Sequence, residues 1–575
     1  MSQRAIGISL STADPAAVAE RAARRSAGFV GHAKLISVLT LLSRILGMAR
    51  ESVMANYFGA AVVAQAFIVA FSIPNLFRKL LGEGALSAAF IPLYAQAVKS
   101  ENKEEAQRFV SASVNMLGTV LIALTIAGEL TLWLTTRLIH FRSDNLLVIH
   151  FTAIMLPYVI LVCGTAFLSG VLQVHRRFAL PALTQVPLNL IHIAVIVIGA
   201  RMLLLKPGVA NVQLQTRLAY WLSFFVLVAG CVQFSMLLPA LRRAGVRLMW
   251  VGHFWTPAVR RLLKLSLPVA FGAGVLQISV LFDKGITLFL TRGENPAEKL
   301  QLFGHAFSYP MAIGAAARLN WAQMLYQFPL GVFAIAVATA IFPSLSADAH
   351  DRDGEKFKRV LRQGIVFTLL EGFPASIGLI LVRYPTIRLL FQHGNFTAAD
   401  TQWVALSVVF YSAAIWAFSL QQILNRAYYA LHDTVTPLIM AIVTIAVNTA
   451  VEIPLSFTRL HEAGMAAGTL ASFAIQAVVM LIMLDRKVGG LGLKSIASGA
   501  GRMLLACAAL SAACLGVQHL PMYPSASGHL ASLEQLVILL LVGGVTYLGI
   551  CWLLGVRMMA GMSFTSEPPA TVMPS

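Results

Sequence analysis

Residues 62–97 read VVAQAFIVAFSIPNLFRKLLGEGALSAAFIPLYAQA, an apolar run that carries Arg78, Lys79 and Glu83 near its centre. A helix needs about 20 mostly apolar residues to cross a bilayer, and this run is longer. It also contains Pro74 and a second proline, and proline removes a backbone hydrogen bond from a helix interior. We therefore expect a membrane-spanning helix that is broken or kinked.

The whole chain is too apolar for a soluble protein. Of 575 residues, 58% are hydrophobic and only 12% are charged, and the mean hydropathy is +0.77. Soluble domains carry about 25% charged residues. We predict an all-α polytopic membrane protein with about 14 transmembrane helices. The predicted spans are 30–57, 62–97, 109–135, 147–173, 182–205, 217–240, 262–291, 320–345, 363–383, 402–429, 435–457, 463–485, 499–519 and 531–556.

The loop charges orient these spans. Lys and Arg are concentrated in alternate loops, and cytoplasmic loops carry the excess of these residues. We expect a multi-pass membrane protein with both termini in the cytoplasm. Residues 1–29 lack the apolar core of a signal peptide and are predicted to be a disordered cytoplasmic tail. Residues 243–261 are predicted to form a basic cytoplasmic linker, and 557–575 a second cytoplasmic tail.

The basic composition does not indicate nucleic-acid binding. The net charge is +19 and the pI about 10.1, but the basic residues lie in short gaps between apolar runs rather than on one soluble face. Membrane lipids are the expected partners of these charges. The five cysteines all fall inside apolar runs without metal-ligand spacing, and no catalytic motif is found. We therefore expect no metal site and no enzyme, and we interpret His393 as a surface histidine of an outer loop.

Short segments recur about 250 residues apart, six spans later. FIPL at 90–93 is matched by IFPS at 341–344, and LSGVLQ at 168–173 by LQQILN at 420–425. Apolar segments also match by chance, so this alternative stays open. The repeat favours two six-helix lobes of the same orientation that hold a substrate between them, with two additional helices at the end. The predicted units are 30–242, 262–486 and 499–556.

The first two spans carry three arginines. An arginine at the bilayer centre costs about 2.5–3.5 kcal/mol, so Arg44, Arg50 and Arg78 are expected to line an aqueous cavity. Lys79 and Arg50 could instead reach the headgroups from helix ends. Arg44 and Glu51 fall on one helical face, and an ion pair could hold Arg44 in place. Because guanidinium groups bind phosphate bidentately, a basic cavity favours a phosphate-bearing substrate over a cationic drug.

The second half of the chain is less charged. Its seventh span carries Gln277, Asp283 and Lys284, and its eighth span carries Gln323. Asp283 either neutralises Lys284 or coordinates a coupling cation, and charge compensation is the favoured interpretation. This difference between the halves fits a substrate with a charged head and a neutral saccharide or peptide part.

Several motifs identify a family. SRILGMAR at 43–50, PNLFR at 74–78 and GEGALS at 82–87 resemble the MurJ (MviN) family of lipid II flippases, which belongs to the same exporter superfamily as the MATE drug exporters. The resemblance covers roughly residues 30–520. Further similar segments are QFPLG at 327–331, FPSL at 342–345, FQHGNFT at 391–397 and YALHDTVTP at 429–437.

This resemblance implies a protein of the bacterial cytoplasmic (inner) membrane with fourteen helices and alternating access of a cationic cavity. The substrate would be lipid II, an undecaprenyl-pyrophosphate-linked disaccharide-pentapeptide, whose tail would lie in a groove involving the last two helices. Coupling to Na⁺ or to the membrane potential is also implied, with Asp283 and Asp433 as candidates and no other cofactor. Other cell-wall synthesis proteins are further candidate partners. The candidate substrate-binding residues are Arg44, Arg50, Arg78, Glu51, Glu83, Asn75, Lys284 and Gln323.

Two positions depart from the family pattern. Gln65 stands where the family usually has an acidic residue, and Met324 stands where it usually has a cavity arginine. Either Lys284 or Arg318 supplies the missing charge, with Lys284 favoured, or pyrophosphate binding rests on the first lobe alone. A flippase for another undecaprenyl-pyrophosphate-linked oligosaccharide therefore stays an alternative. A cation-coupled MATE-like exporter is disfavoured by the basic cavity, and a non-transporting scaffold would require the arginines to be structural.

Overall fold

A computed structural model describes residues 38–100, 102–139, 141–252, 254–293, 295, 297–302, 304–331, 341, 345, 354–524 and 528–556. The predicted terminal tails, 1–29 and 557–575, lie outside these residues. Most of the described chain is helical, because a backbone surrounded by lipid must satisfy its hydrogen bonds within each segment.

The first half consists of helices joined by short loops. In chain order they are α1 (38–58), α2 (Val62–Phe77), a π-helical segment (Arg78–Ala85), α3 (Leu86–Lys99), α4 (Lys103–Leu138), α5 (Ser143–Met155), α6 (Tyr158–Val174), α7 (Ala179–Leu183), α8 (Gln185–Met202), α9 (Val212–Ser235) and α10 (Leu238–Arg243).

The second half continues the same pattern. Its elements are α11 (Pro257–Leu290), β1 (Leu300–Leu302), β2 (His305–Phe307), α12 (Ala315–Pro329), α13 (Glu355–Leu390), α14 (Ala398–Ala413), α15 (Ile415–Ala430), α16 (Val435–Ser456), α17 (Ala463–Lys487), α18 (Leu493–Gln518) and α19 (His529–Leu553). The two strands pair as an antiparallel hairpin, which the sequence did not predict.

The predicted spans correspond to observed helices. Each of the fourteen falls on one helix or on consecutive helices, although parts of 30–57 and 320–345 lie outside the described residues. Within those residues nine helices, or ten if a bent pair counts as one span, are long and apolar enough to cross a membrane. The all-α polytopic fold is therefore confirmed.

The second span departs from a regular helix, as its prolines predicted. Its central turns are π-helical from Arg78 to Ala85, and α2 and α3 continue on either side. Such wide turns occur frequently at functional sites. Gly82 allows close packing in this segment, because a Cβ at this position would lie 2.7 Å from the Cβ of Ala166 on α6. A separate bend of 49° lies between α5 and α6, next to Pro157.

The helices pack into two bundles. In the first, α2, α5, α6, α8 and α9 contact one another. In the second, α13 packs on α14 and α15, and α17 packs on α14, α15 and α16. The last two helices, α18 and α19, pair with each other and both contact α13. One apolar core fills the first bundle and continues into α12 and α14, while a second core joins α13, α15 and the last helices.

Candidate substrate cavity between the bundles

A polar cavity of about 410 Å³ lies between the two bundles. The first bundle contributes residues of α1, α2, the π-helical segment and α8, and the second contributes α11 and α12. Among the described residues that line it are four basic side chains and one carboxylate, so the cavity is cationic. These are Arg50, Arg78, Lys79, Lys284 and Glu51. The polar neutral lining comprises Ser72, Asn75, Gln185, Gln277, Asn320, Gln323 and Gln327.

The charges of α1 have partners different from the predicted ones. Arg50 Nη2 lies 2.5 Å from Glu51 Oε1, and the other oxygen of Glu51 accepts a hydrogen bond from Trp321 Nε1 at 3.1 Å. The predicted ion pair between Arg44 and Glu51 is therefore wrong, because the neighbouring arginine and a tryptophan of α12 hold this carboxylate. The guanidinium of Arg44 instead lies against Gly331, where a Cβ would overlap it, and Arg44 is not among the described residues that line the cavity.

Arg78 lies where the second span changes from α- to π-helical. Its Nε donates to Asn75 Oδ1 at 3.4 Å, and both residues line the cavity. The amide thus helps to position the guanidinium at the cavity wall. The side chain of Glu83, another candidate substrate-binding residue of this segment, lies outside the described part of the structure.

Lys284 brings a positive charge from the second bundle into the cavity. Its Nζ donates to Ser72 Oγ across the bundle interface at 2.5 Å, and Met324 lines the same cavity. Arg318, the other candidate for this charge, is buried elsewhere. Its guanidinium bonds Glu462 at 2.5 and 2.7 Å and Asp400 at 3.3 Å, and it is not among the described lining residues.

A small polar pocket of about 20 Å³ adjoins Lys284, with room for about one water-sized species. Asp283 and Glu452 both line it. Asn448 Nδ2 connects the two carboxylates, at 3.4 Å from Asp283 Oδ1 and 2.8 Å from Glu452 Oε2. Oxygen-rich pockets suit hard cations. Glu452 and Asn448 were not among the residues predicted from sequence, although their i, i+4 spacing in an apolar span was a usable signal.

Asp433, the second candidate for ion coupling, lies elsewhere. It precedes α16, accepts hydrogen bonds from Thr436, and forms an ion pair with Lys487. Burial raises the pKa of Asp433, but these bonds outweigh it and lower the pKa to about 2. The geometry therefore gives Asp433 the role of a helix cap, and it does not bring this carboxylate to Asp283.

The bundles also meet between the C-terminal end of α1 and the loop at 391–397. The backbone N–H of Asn395 donates to Asn56 O at 2.9 Å, and its side chain donates to Tyr57 O at 2.7 Å. Gly394 has a φ of +60°, and a Cβ there would overlap the oxygens of Asn56. This contact, which we call the outer latch, joins the bundles at the side that the loop charges predict to face outward.

His393 belongs to the outer latch and is not a surface residue. It is half-buried, and its Nε2 lies 3.1 Å from Ser52 O and 3.2 Å from Ser52 Oγ. Burial lowers the pKa of His393. The interpretation of this residue as a surface histidine was therefore wrong, because the contact joins residues 341 positions apart that only the fold brings together.

Gln65 also connects the bundles. Its Oε1 accepts the backbone N–H of Ala316, at the beginning of α12, at 3.3 Å. An amide oxygen can accept this bond as a carboxylate would. The neutral residue therefore preserves an interbundle hydrogen bond at the position where an acidic residue was expected.

Two helical bundles with a cationic cavity between them form the architecture of a membrane transporter. A solved multidrug resistance MATE family transporter of the MOP superfamily, in an inward-facing conformation, is similar with a TM-score of 0.62 and 13% identity, over 80% of this chain and 98% of that chain. A solved lipid II flippase MurJ, in an inward closed conformation, has a TM-score of 0.69 and 22% identity, over 91% of this chain and 99% of that one.

Sequence comparison specifies the family. The family described as "Lipid II flippase MurJ" matches residues 54–534. A probable lipid II flippase MurJ of Rhizobium tropici is 30% identical over 528 residues, which cover 90% of this chain and 92% of the relative. A lipid II flippase MurJ of Burkholderia cenocepacia is 30% identical over 416 residues, which cover 71% of this chain and 74% of that relative. This chain belongs to the MurJ family.

Proposed function

We propose that this protein moves lipid II from the inner to the outer leaflet of the cytoplasmic membrane. The observation that carries the proposal is the convergence of Arg50, Arg78 and Lys284 on one cavity between the bundles. Pyrophosphate is the strongly anionic part of lipid II, and charge-assisted hydrogen bonds from arginine and lysine are the strong contacts for phosphate. The names of the relatives support the same substrate.

The transport step is alternating access. The outer latch joins α1 to the loop at 391–397, and we infer that it keeps the cavity shut toward the outer side. Opening toward the outer leaflet requires the Asn395 hydrogen bonds to break and the two bundles to rotate apart. The protein binds and moves its substrate, and the mechanism requires no bond of the substrate to break.

The lipid tail stays in the membrane, along α18 and α19. Both helices expose large apolar side chains, including Leu505, Leu541, Val545 and Leu548. A polyprenyl chain can pack on such a surface, which avoids the free-energy cost of exposing its apolar groups to the polar cavity. This division leaves the headgroup in the cavity and the tail in a groove.

The pocket of Asp283, Asn448 and Glu452 is the proposed coupling site. Its two carboxylates lie beside Lys284, which lines both this pocket and the main cavity. A Na⁺ ion or a proton there would change the charge next to the substrate site and so link ion binding to substrate binding. Replacement of Glu452 by Gln should therefore reduce the dependence of transport on the ion while the substrate still binds.

Complementation tests the proposed function. The gene should restore growth to cells depleted of their lipid II flippase, and lipid II should no longer accumulate in the inner leaflet. The departure at Met324 supports a second candidate, a flippase for another undecaprenyl-pyrophosphate-linked oligosaccharide. Failure to restore growth, with the protein present in the membrane, would reject lipid II, and rescue of a strain lacking such an oligosaccharide flippase would support the second candidate.

A further inference from the structure

A second cavity of about 410 Å³ lies within the first bundle. It is lined by residues of α6, α7 and the beginning of α8, with Thr40 of α1 and Ile91 of α3 at its sides. Arg78 and Gln185 line both this cavity and the cavity between the bundles. The two spaces therefore share a wall, and the guanidinium of Arg78 lies on it.

The lining of this cavity is suited to a neutral polar ligand. Six hydroxyl and amide side chains line it beside apolar ones, and Arg78 is the one charged residue among the described residues that line it. The polar side chains are Thr40, Thr165, Ser169, Gln173, Thr184 and Gln185. Phe178 adds an aromatic face on which the apolar side of a sugar ring can pack.

Thr165 shows that the cavity has a hydrogen-bonding group without a protein partner. The residue is 4% exposed, and within the described structure its Oγ1 has no hydrogen-bond partner. Neighbouring hydroxyls are satisfied, since Ser169 donates to Thr165 O at 2.7 Å and Thr184 donates to Pro181 O at 2.9 Å. A buried hydroxyl without a partner is costly. Because Thr165, unlike other such residues in the described structure, lines this polar cavity, a ligand that reaches its side chain there would supply the partner.

We propose that this cavity binds the saccharide that is attached to the pyrophosphate. The inference rests on the proposed function and adds a second subsite to it. Because the first sugar is bonded directly to the pyrophosphate, a phosphate held by Arg78 places that sugar at the shared wall. A hydroxyl-rich, uncharged ring matches the neutral lining, whereas the carboxylates of a peptide match the cations of the cavity between the bundles. The volume lies within the range of about 300–1,000 Å³ that small-molecule pockets occupy.

Two substitutions test the subsite. Thr165→Val keeps the shape and removes only the hydroxyl, and Ala182→Trp fills the cavity from α7. The first has a matched control in Thr125→Val, since Thr125 is also buried and lacks a partner in the described structure but lines neither cavity. The second is matched by Ala194→Trp, on an exposed face of α8.

Binding is measured on the purified full-length protein with two probes, lipid II and undecaprenyl pyrophosphate, which lacks the saccharide. Thr165→Val should weaken lipid II binding roughly three- to tenfold, the value of one net hydrogen bond, and leave undecaprenyl pyrophosphate binding unchanged. Ala182→Trp should have a larger effect of the same selectivity. Thermal stability of Thr165→Val should equal or exceed that of the wild type, because an unsatisfied group is removed.

The outcomes separate the subsite from the function. If the wild-type protein binds lipid II and undecaprenyl pyrophosphate equally well, or if both probes are weakened alike by Thr165→Val and Ala182→Trp, the saccharide subsite is rejected while the lipid II function stands. Unchanged lipid II binding in both variants also rejects it. A wild-type protein that binds neither probe overturns the proposed function itself, and the subsite with it.

Discussion

Lys284 supplies the second bundle's charge to the cavity, so Lys284→Met should weaken substrate binding. A hydrogen bond from a charged group contributes about 1.5–3 kcal/mol, and each 1.4 kcal/mol is about tenfold in affinity. Without substrate, Lys284 Nζ already donates to Ser72 Oγ at 2.5 Å, so binding of phosphate replaces this hydrogen bond with a stronger one. The net free-energy gain is therefore in the lower part of that range. We expect an affinity for lipid II that is roughly ten- to thirtyfold lower, measured on detergent-solubilised protein with labelled lipid II.

A second substitution and a control make this prediction specific. Met324 lines the same cavity, so Met324→Arg in the Lys284→Met background should restore most of the affinity. Lys264→Met changes the same charge on the same helix at an exposed position that lines neither cavity, and should have little effect. An equal loss in Lys264→Met, or no rescue by Met324→Arg, would refute the assignment of the phosphate-binding charge to Lys284.

Three further predictions concern the latch and the ion pairs. Gly394→Ala should open the outer latch and increase labelling of cysteines placed in the cavity from the outer side. Gly354→Ala has the same φ of +60°, but no described residue lies within 4 Å of the added Cβ, so it should not have this effect. Glu462→Gln leaves Arg318 without its main buried partner and should destabilise the fold by about 3–5 kcal/mol in thermal or denaturant unfolding; a loss below 1 kcal/mol would contradict this. Because its pKa is lowered to about 2, the ionised Asp433 stabilises the fold above pH 4, and this stabilisation is lost as the pH falls towards 2. The difference in melting temperature between the wild type and Asp433→Asn should therefore shrink as the pH falls from 5 towards 2. A difference that stays constant over this range would contradict the prediction.

Much of the fold could be predicted because lipid imposes a simple rule on sequence. Every span must satisfy its backbone hydrogen bonds internally and carry about 20 apolar residues. The apolar runs in the sequence therefore indicated the helices, and the prolines indicated the irregular second span. The same rule made charged residues conspicuous, and Arg50, Arg78 and Lys284 do line the cavity.

The remaining features depend on contacts between distant parts of the chain. Helical spacing suggested that Glu51 pairs with Arg44, but Glu51 is held by Arg50 and by Trp321, 270 residues away. His393 looked exposed because its partner, Ser52, belongs to the other bundle. Periodicity along one helix cannot report such pairings, since they are set by how the bundles meet.

The saccharide subsite was likewise hidden in sequence. Thr165 lies in an apolar run, and threonines in membrane helices commonly bond the preceding turn of their own helix. Only the structure shows that Thr165 lines a cavity together with residues of α7 and the beginning of α8, and that its Oγ1 lacks a hydrogen-bond partner among the described residues.

Reconstitution tests the flippase itself. Purified protein in sealed vesicles should accelerate the movement of lipid II between leaflets, and the Arg50→Gln/Arg78→Gln double variant should lose at least tenfold of that rate, while Arg108→Gln, at an exposed position of α4, should retain it. A wild-type rate no higher than that of protein-free vesicles, or a double variant as fast as the wild type, would contradict the transport of lipid II through the cationic cavity.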